Sequence, residues 1–233
     1  MKFKILTLFP EMYPGPIKYS IIGKALSKKI FSIETINIRK FSKLKSKSVD
    51  DKPFGGGAGM IIKPDILQSA LDSIKRSKNS KIIYFSPRGK LLKQACSKDL
   101  IKYDELILIC GRYEGIDERF LIHNNIQELS VGDYVLSGGE IASFILIDTC
   151  VRLIPEVLGN RNSLEFESFE RHLLEYPQYT KPFEWNKIKV PDVLISGNHS
   201  KISKWREKKS IEKTKKTRPD LWKLYKSNER EKK

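Results

Sequence analysis

The feature that most constrains this chain is a rhythm. Over the first 158 residues, short apolar runs alternate with longer segments of helical periodicity, and each run stops at Pro, Ser or Gly. Residues 3–9 (FKILTLF) read as a strand ending at Pro10, with a helix at about 16–28. Pro64 and Asp65 open a helix that places Ile66, Leu67, Ala70, Leu71 and Ile74 on one face. KIIYF at 81–85 reads as a strand stopped by Ser86-Pro87-Arg88-Gly89, with a short helix near 91–100. LILIC at 106–110 reads as a strand stopped by Gly111-Arg112-Tyr113-Glu114-Gly115. DYVL at 133–136 reads as another, stopped by Ser137-Gly138-Gly139. Residues 140–154 form a helix that is apolar on most sides, and so is buried or in an interface. Continuous apolar strands separated by helices predict an α/β layer with a largely parallel sheet.

The rhythm fails after residue 159. Residues 160–180 read as a linker, and 181–233 as a polar, helical and basic unit in which Ile202 and Trp205 share one helix face. The chain has 233 residues, 39% of them hydrophobic, enough for a sizeable core. No apolar run reaches the roughly 18 residues that span a membrane. The start, Met1-Lys2-Phe3-Lys4, resembles a secretory leader. Its apolar run ends at Phe9-Pro10-Glu11 with no small-residue cleavage site, so none is expected. Three widely spaced cysteines without a CxxC predict neither a zinc site nor a disulfide framework, and a reducing cytoplasm is the expected home. Net charge is +16, and residues 201–233 hold 14 Lys or Arg against 5 Asp or Glu. Such a patch suits a polyanion such as nucleic acid, although a solvated lysine-rich tail reads the same way.

Ligands of open α/β sheets sit at the carboxyl ends of the strands. Here three strands are expected to end in glycine- or Ser-Pro-bearing turns, at 86–89, 111–115 and 137–139. Three such turns in one domain predict a ligand pocket. The one dense glycine run, Gly55–Gly59, follows Lys52-Pro53-Phe54 rather than an apolar strand, so it fails the dinucleotide pattern. GxxxxGK[ST] is absent. Both facts weigh against ATP, NAD and the common Rossmann methyltransferases.

Several longer motifs occur in order: Leu8-Phe9-Pro10-Glu11-Met12, VDDKPFGGGAGM at 49–60, YFSP at 84–87, CGRYEGIDER at 110–119 and SVGDYVLSGGE at 130–140. YTKP at 179–182, Val190-Pro191, SGNH at 196–199 and RPDL at 218–221 follow. Over residues 1–222 the chain closely resembles the bacterial tRNA (guanine-N1-)-methyltransferases. That resemblance implies a SPOUT fold, an α/β domain whose C-terminal part is threaded into a deep trefoil knot. It also implies a homodimer with its active site at the subunit interface, and S-adenosylmethionine as methyl donor. The implied substrate is a tRNA with guanine at positions 36 and 37, methylated at N1 of guanine 37. Mg²⁺ assists the family's reaction, but no ligand cluster in the sequence locates it.

By the same resemblance Tyr84, Ser86, Pro87, Gly111, Glu114, Gly115, Gly138, Gly139 and the run Val131, Gly132, Asp133, Tyr134, Val135 and Leu136 form the cofactor pocket. On the residues alone Tyr134 is equally a strand core residue. An arginine and a linker aspartate are the family's catalytic pair. The arginine falls on Arg152, which by itself reads as an i,i+4 partner of Asp148. The family's Asp-Ser-Phe is here Glu167-Ser168-Phe169, so Glu167 takes the role of general base, with Glu165 and Glu170 close by. Asp50 and Gly55, Gly56, Gly57 and Gly59, with Arg112, Arg119, Ser196 and His199, are the implied RNA contacts. Arg112 and Arg119 are also placed to pair with Glu114 and Glu118.

Overall fold

The computed structural model describes residues 1–159 and 167–231. The chain divides into two units, Met1–Gly159 and Asn160–Lys233.

The first unit is built on five parallel strands in the order β2-β1-β6-β5-β7. These are β1 (Lys2–Thr7), β2 (Ser32–Asn37), β5 (Ser80–Leu91), β6 (Glu105–Ile109) and β7 (Gln127–Ser130). All five residues of β6 are buried, the pattern of a central parallel strand. Side chains alternate across the sheet because strands have a period of two. Phe3, Ile5, Leu106 and Leu108 face α1 (Ser20–Ser27), α3 (Gln94–Leu100) and α5 (Gly139–Val151). Leu6, Ile107 and Ile109 face α2 (Pro64–Asp72) and α4 (Glu118–His123). The result is a sheet covered on both faces, which positions one open end for a ligand.

The structure corrects three sequence expectations. DYVL at 133–136 is not a strand: residues 131–138 form a loop, with Tyr134 and Val135 exposed. The strand here is the preceding Gln-Glu-Leu-Ser of β7, whose single apolar residue, Leu129, gave no signal to read. Ser86-Pro87 does not end β5. The pairing with β7 shifts register between Phe85 and Lys90, and the strand resumes, so the proline sits in an irregularity where its missing N–H breaks no ladder bond. The stretch 39–59, basic and then glycine-rich, reads in sequence as a loop but is not all loop. A short antiparallel ribbon of β3 (Asp50–Asp51) and β4 (Ile61–Ile62) pins the ends of the glycine run.

The second unit holds a hairpin of β8 (Glu184–Trp185) and β9 (Ile188–Lys189), then α6 (Asp192–Ile195), α7 (His199–Thr217) and α8 (Pro219–Glu231). Asn198 caps α7, its side chain accepting the Lys201 N–H at 3.0 Å. Residues 167–180 pack within this unit. Leu173 is buried, and the Leu174 N–H donates to the Thr214 hydroxyl at 2.8 Å. Glu165 and the stretch 160–166 lie outside the described residues. No described helix is long and apolar enough to cross a membrane.

Candidate active site

A cleft of about 690 Å³ opens at the carboxyl ends of β6 and β7, beside the irregularity within β5. Its walls include three segments: Ser86, Pro87 and Arg88 from β5, 111–115 after β6, and 131–132 with 134–139 after β7. Thirteen of the fourteen residues read as the cofactor pocket line it: Tyr84, Ser86, Pro87, Gly111, Glu114, Gly115, Val131, Gly132, Tyr134, Val135, Leu136, Gly138 and Gly139. Asp133 is exposed and stands outside the wall.

The floor is fitted around absent side chains. A Cβ on Gly111 would come within 2.9 Å of the Tyr84 ring, which is buried beneath it. Burial raises the Tyr84 pKa, so its hydroxyl stays protonated near neutrality. A Cβ on Gly139 would meet the backbone of Cys110 at 2.7 Å, where the Gly139 N–H donates to the Gly111 carbonyl at 2.9 Å. Backbone cannot yield as a flexible side chain does. We expect Gly139→Ala to destabilise the first unit by about 1–3 kcal/mol, read by thermal melting.

A polar cluster locks these turns together. Glu140, the second residue of α5, is fully buried. One of its oxygens accepts the Thr7 hydroxyl at 2.7 Å, and the other accepts Arg112 Nε at 2.9 Å. Arg112 also donates to the Ser137 carbonyl at 3.2 Å and lies 4.7 Å from the Phe9 ring centroid. Its partner is therefore Glu140, not Glu114. Arg119 pairs with Asp117 at 2.7 Å, holding that carboxyl below its usual range, while Glu118 takes Arg88 at 2.7 Å. The sequence reading gave neither Glu140 nor Arg88 a role. An acidic residue opening an otherwise apolar helix, directly after Gly-Gly, was the available signal for Glu140.

Behind this cluster Tyr13 hydrogen-bonds Ser143 at 2.5 Å and lies 3.5 Å from the Cys110 sulfur. Burial pushes the thiols of Cys110 and Cys150 up to about 12. Unfolded thiols lose their protons near pH 9. Across that window the folded state holds more protons, so stability is full below about pH 9 and falls as pH rises toward 12. Urea midpoints at pH 8 and 10.5 check this, and Cys150→Ala should flatten the dependence.

The family profile described as tRNA (Guanine-1)-methyltransferase TrmD matches residues 1–224. The chain belongs to that family. Proteins named tRNA (guanine-N(1)-)-methyltransferase share about half of its sequence. The Rhodospirillum rubrum protein is 51% identical over 221 residues, spanning 95% of this chain and 92% of the relative. The Pelagibacter ubique protein is 50% identical over 225 residues, 97% and 98%. The Ehrlichia canis protein is 50% identical over 223 residues, 95% of each.

In this member of the tRNA (guanine-1)-methyltransferase family, the two residues read as catalytic belong to different units. Arg152 caps the C-terminal end of α5, its N–H donating to the Asp148 carbonyl at 3.2 Å. Glu167 belongs to the second unit, where it lines a polar hollow with Glu170, Arg171, His199 and Arg206. Of the residues read as RNA contacts, Arg112 and Arg119 line the cleft, whereas Asp50 and Gly55–Gly59 lie beyond it on the first unit. Gly55, Gly56, Gly57 and Gly59 all have positive φ, so the loop takes a path that other residues resist. Ser196 and His199 are exposed on the second unit. Among the described residues, no three His, Cys, Asp or Glu side chains gather where they could hold a metal ion.

Proposed function

We propose that this chain transfers a methyl group from S-adenosylmethionine to N1 of guanine 37 in tRNA. The observation that carries the reading is the cleft: the irregularity of β5 and the glycine-bearing segments after β6 and β7 converge on it in a chain of this methyltransferase family. The residues fit the donor. Gly111 lets the Tyr84 ring pack close beneath the floor, turn backbone offers hydrogen bonds, and Tyr134, Val135 and Leu136 offer apolar wall. The volume falls within the ~300–1,000 Å³ typical of small-molecule pockets. When bound, S-adenosylmethionine supplies a methyl group on a positively charged sulfur.

The chain's own residues prepare the acceptor. The Glu167 carboxylate takes the N1 proton, a contribution of about 10²- to 10⁴-fold. The Arg152 guanidinium faces O6, where negative charge gathers as N1 is deprotonated. Guanine must leave its stack to reach a donor in such a cleft. We assign the exposed Ile141 and Ile145, one turn apart on the mostly buried α5, to contact with a second copy, making a homodimer with the active site at its interface. The trefoil knot, the tRNA-gripping role of residues 181–233 and a cytoplasmic location belong to the same reading. The charge distribution supports the tRNA role: the last 33 residues carry more than half of the net +16.

Methyl transfer from labelled S-adenosylmethionine to two tRNA transcripts tests this. One has guanine at positions 36 and 37, and the other has adenine at 37. Transfer to the first alone is expected. Equal transfer to both, or to neither, overturns the proposal.

A further inference from the structure

The second unit carries an aromatic hollow of about 380 Å³ that the methyl-transfer reading leaves unused. It lies between the segment 176–183 and the helices α6 and α7. Tyr176, Tyr179 and Phe183 line it together with Gln178, Lys181 and Arg206. Phe183 is 45% exposed and Tyr179 46%, so ring faces are open to solvent. The Arg206 guanidinium lies 4.9 Å from the Tyr176 ring centroid, a stacked cation at the wall.

The hairpin that follows extends the same chemistry. Its turn residues Asn186 and Lys187 both have positive φ, the geometry of a two-residue hairpin loop. The register pairs Trp185 with Ile188, which places both on one face, and they are 67% and 66% exposed. Lys181, Lys187 and Lys189 are exposed around them. Large rings left in water cost free energy unless a partner covers them. Open rings interleaved with cations match single-stranded nucleic acid, whose bases stack and whose phosphates need positive charge. A protein partner of ordinary apolar character would leave these lysines unmatched.

We infer that this hollow binds one unpaired nucleobase of the RNA substrate, stacked on Phe183 with Arg206 and Gln178 at its edge. The inference rests on the tRNA reading and adds to it a base-holding site built within the second unit. Stacking of one base is worth roughly 5- to 100-fold in affinity.

The test uses the full chain and its Phe183→Ala and Phe183→Trp variants. Affinity for the guanine-37 tRNA transcript is measured at several salt concentrations, alongside affinity for S-adenosylmethionine. Fluorescence of short unpaired RNA carrying 2-aminopurine is read with each protein. The expected result is a roughly 5- to 100-fold loss of tRNA affinity for Phe183→Ala with an unchanged salt slope, because no phosphate contact is removed. The parent chain should quench 2-aminopurine, Phe183→Ala should not, and Phe183→Trp should restore both signals. A merely misfolded unit would change the salt slope and resist rescue by tryptophan. Unchanged tRNA affinity in Phe183→Ala, with the parent chain methylating tRNA, overturns the inference and leaves the methyl-transfer reading standing. Unchanged RNA binding with an altered sedimentation coefficient overturns it too and makes the hollow a protein contact. A parent chain that neither binds nor methylates tRNA sinks the methyl-transfer reading itself.

Discussion

Glu167→Gln should reduce single-turnover methyl transfer by about 10²- to 10⁴-fold, the range that a positioned general base contributes. Affinity for S-adenosylmethionine should stay within twofold of the parent, because the proposed role of Glu167 is toward the acceptor base and not the donor. Glutamine keeps the size and hydrogen-bonding reach of the side chain but cannot accept the N1 proton. Glu167→Asp keeps the proton acceptor and draws it back by one methylene. Turnover should survive that change with a loss of no more than about 10²-fold, the scale set by a 1 Å misplacement. Full activity in the glutamine variant would move the base elsewhere, and Glu170, which lines the same hollow, would be next.

The second large effect is expected at Glu140. Removing its carboxylate strands the Thr7 hydroxyl and the Arg112 guanidinium together. Breaking a buried ion pair from one side costs about 3–5 kcal/mol. Arg112 retains 20% side-chain exposure, so we expect the lower end for Glu140→Ala, about 3 kcal/mol. In a unit of this size that is a fall of roughly 6–12 °C in Tm. Cofactor affinity should fall as well, because Arg112 also holds the Ser137 carbonyl beside the cleft. Replacing both partners with leucine removes the stranded charge. The double variant should be more stable than Glu140→Ala and still bind the cofactor poorly. Equal destabilisation in the single and double variants would show that the pair is not what the site depends on.

What the sequence disclosed follows from where each signal resides. The strands β1, β5 and β6 were legible because a central parallel strand is apolar on both faces, so LILI announces itself. Edge strand β7 was not, because its environment asks for few apolar residues. The neighbouring DYVL borrowed its identity by composition alone. That stretch is apolar because it lines a cleft, a reason that periodicity does not separate from a place in the sheet. The turns at 111–115 and 137–139 were legible as parts of one cleft wall from their glycines, although only the first follows an apolar strand. The bond between Arg112 and Glu140 was not, because it exists only once α5 returns beside the end of β6. Glu167 and His199 lie 32 residues apart in the chain and line one hollow. No local pattern marks that proximity.

The strand order has a consequence for synthesis. Strand β1 leaves the ribosome early, and β2 can cover one of its edges within the next thirty residues. The other edge belongs to β6, which begins at Glu105. At about 5–20 residues per second, that edge waits roughly 5–20 s with its peptide groups unpaired. An apolar strand with a bare edge is the kind of segment through which nascent chains stick together. Lys4, in the middle of β1, opposes this with a charge that resists joining another copy. When β6 arrives, the same lysine pairs with the buried Glu105 at 2.8 Å, so the group that kept the waiting strand apart becomes part of the seam that closes the sheet.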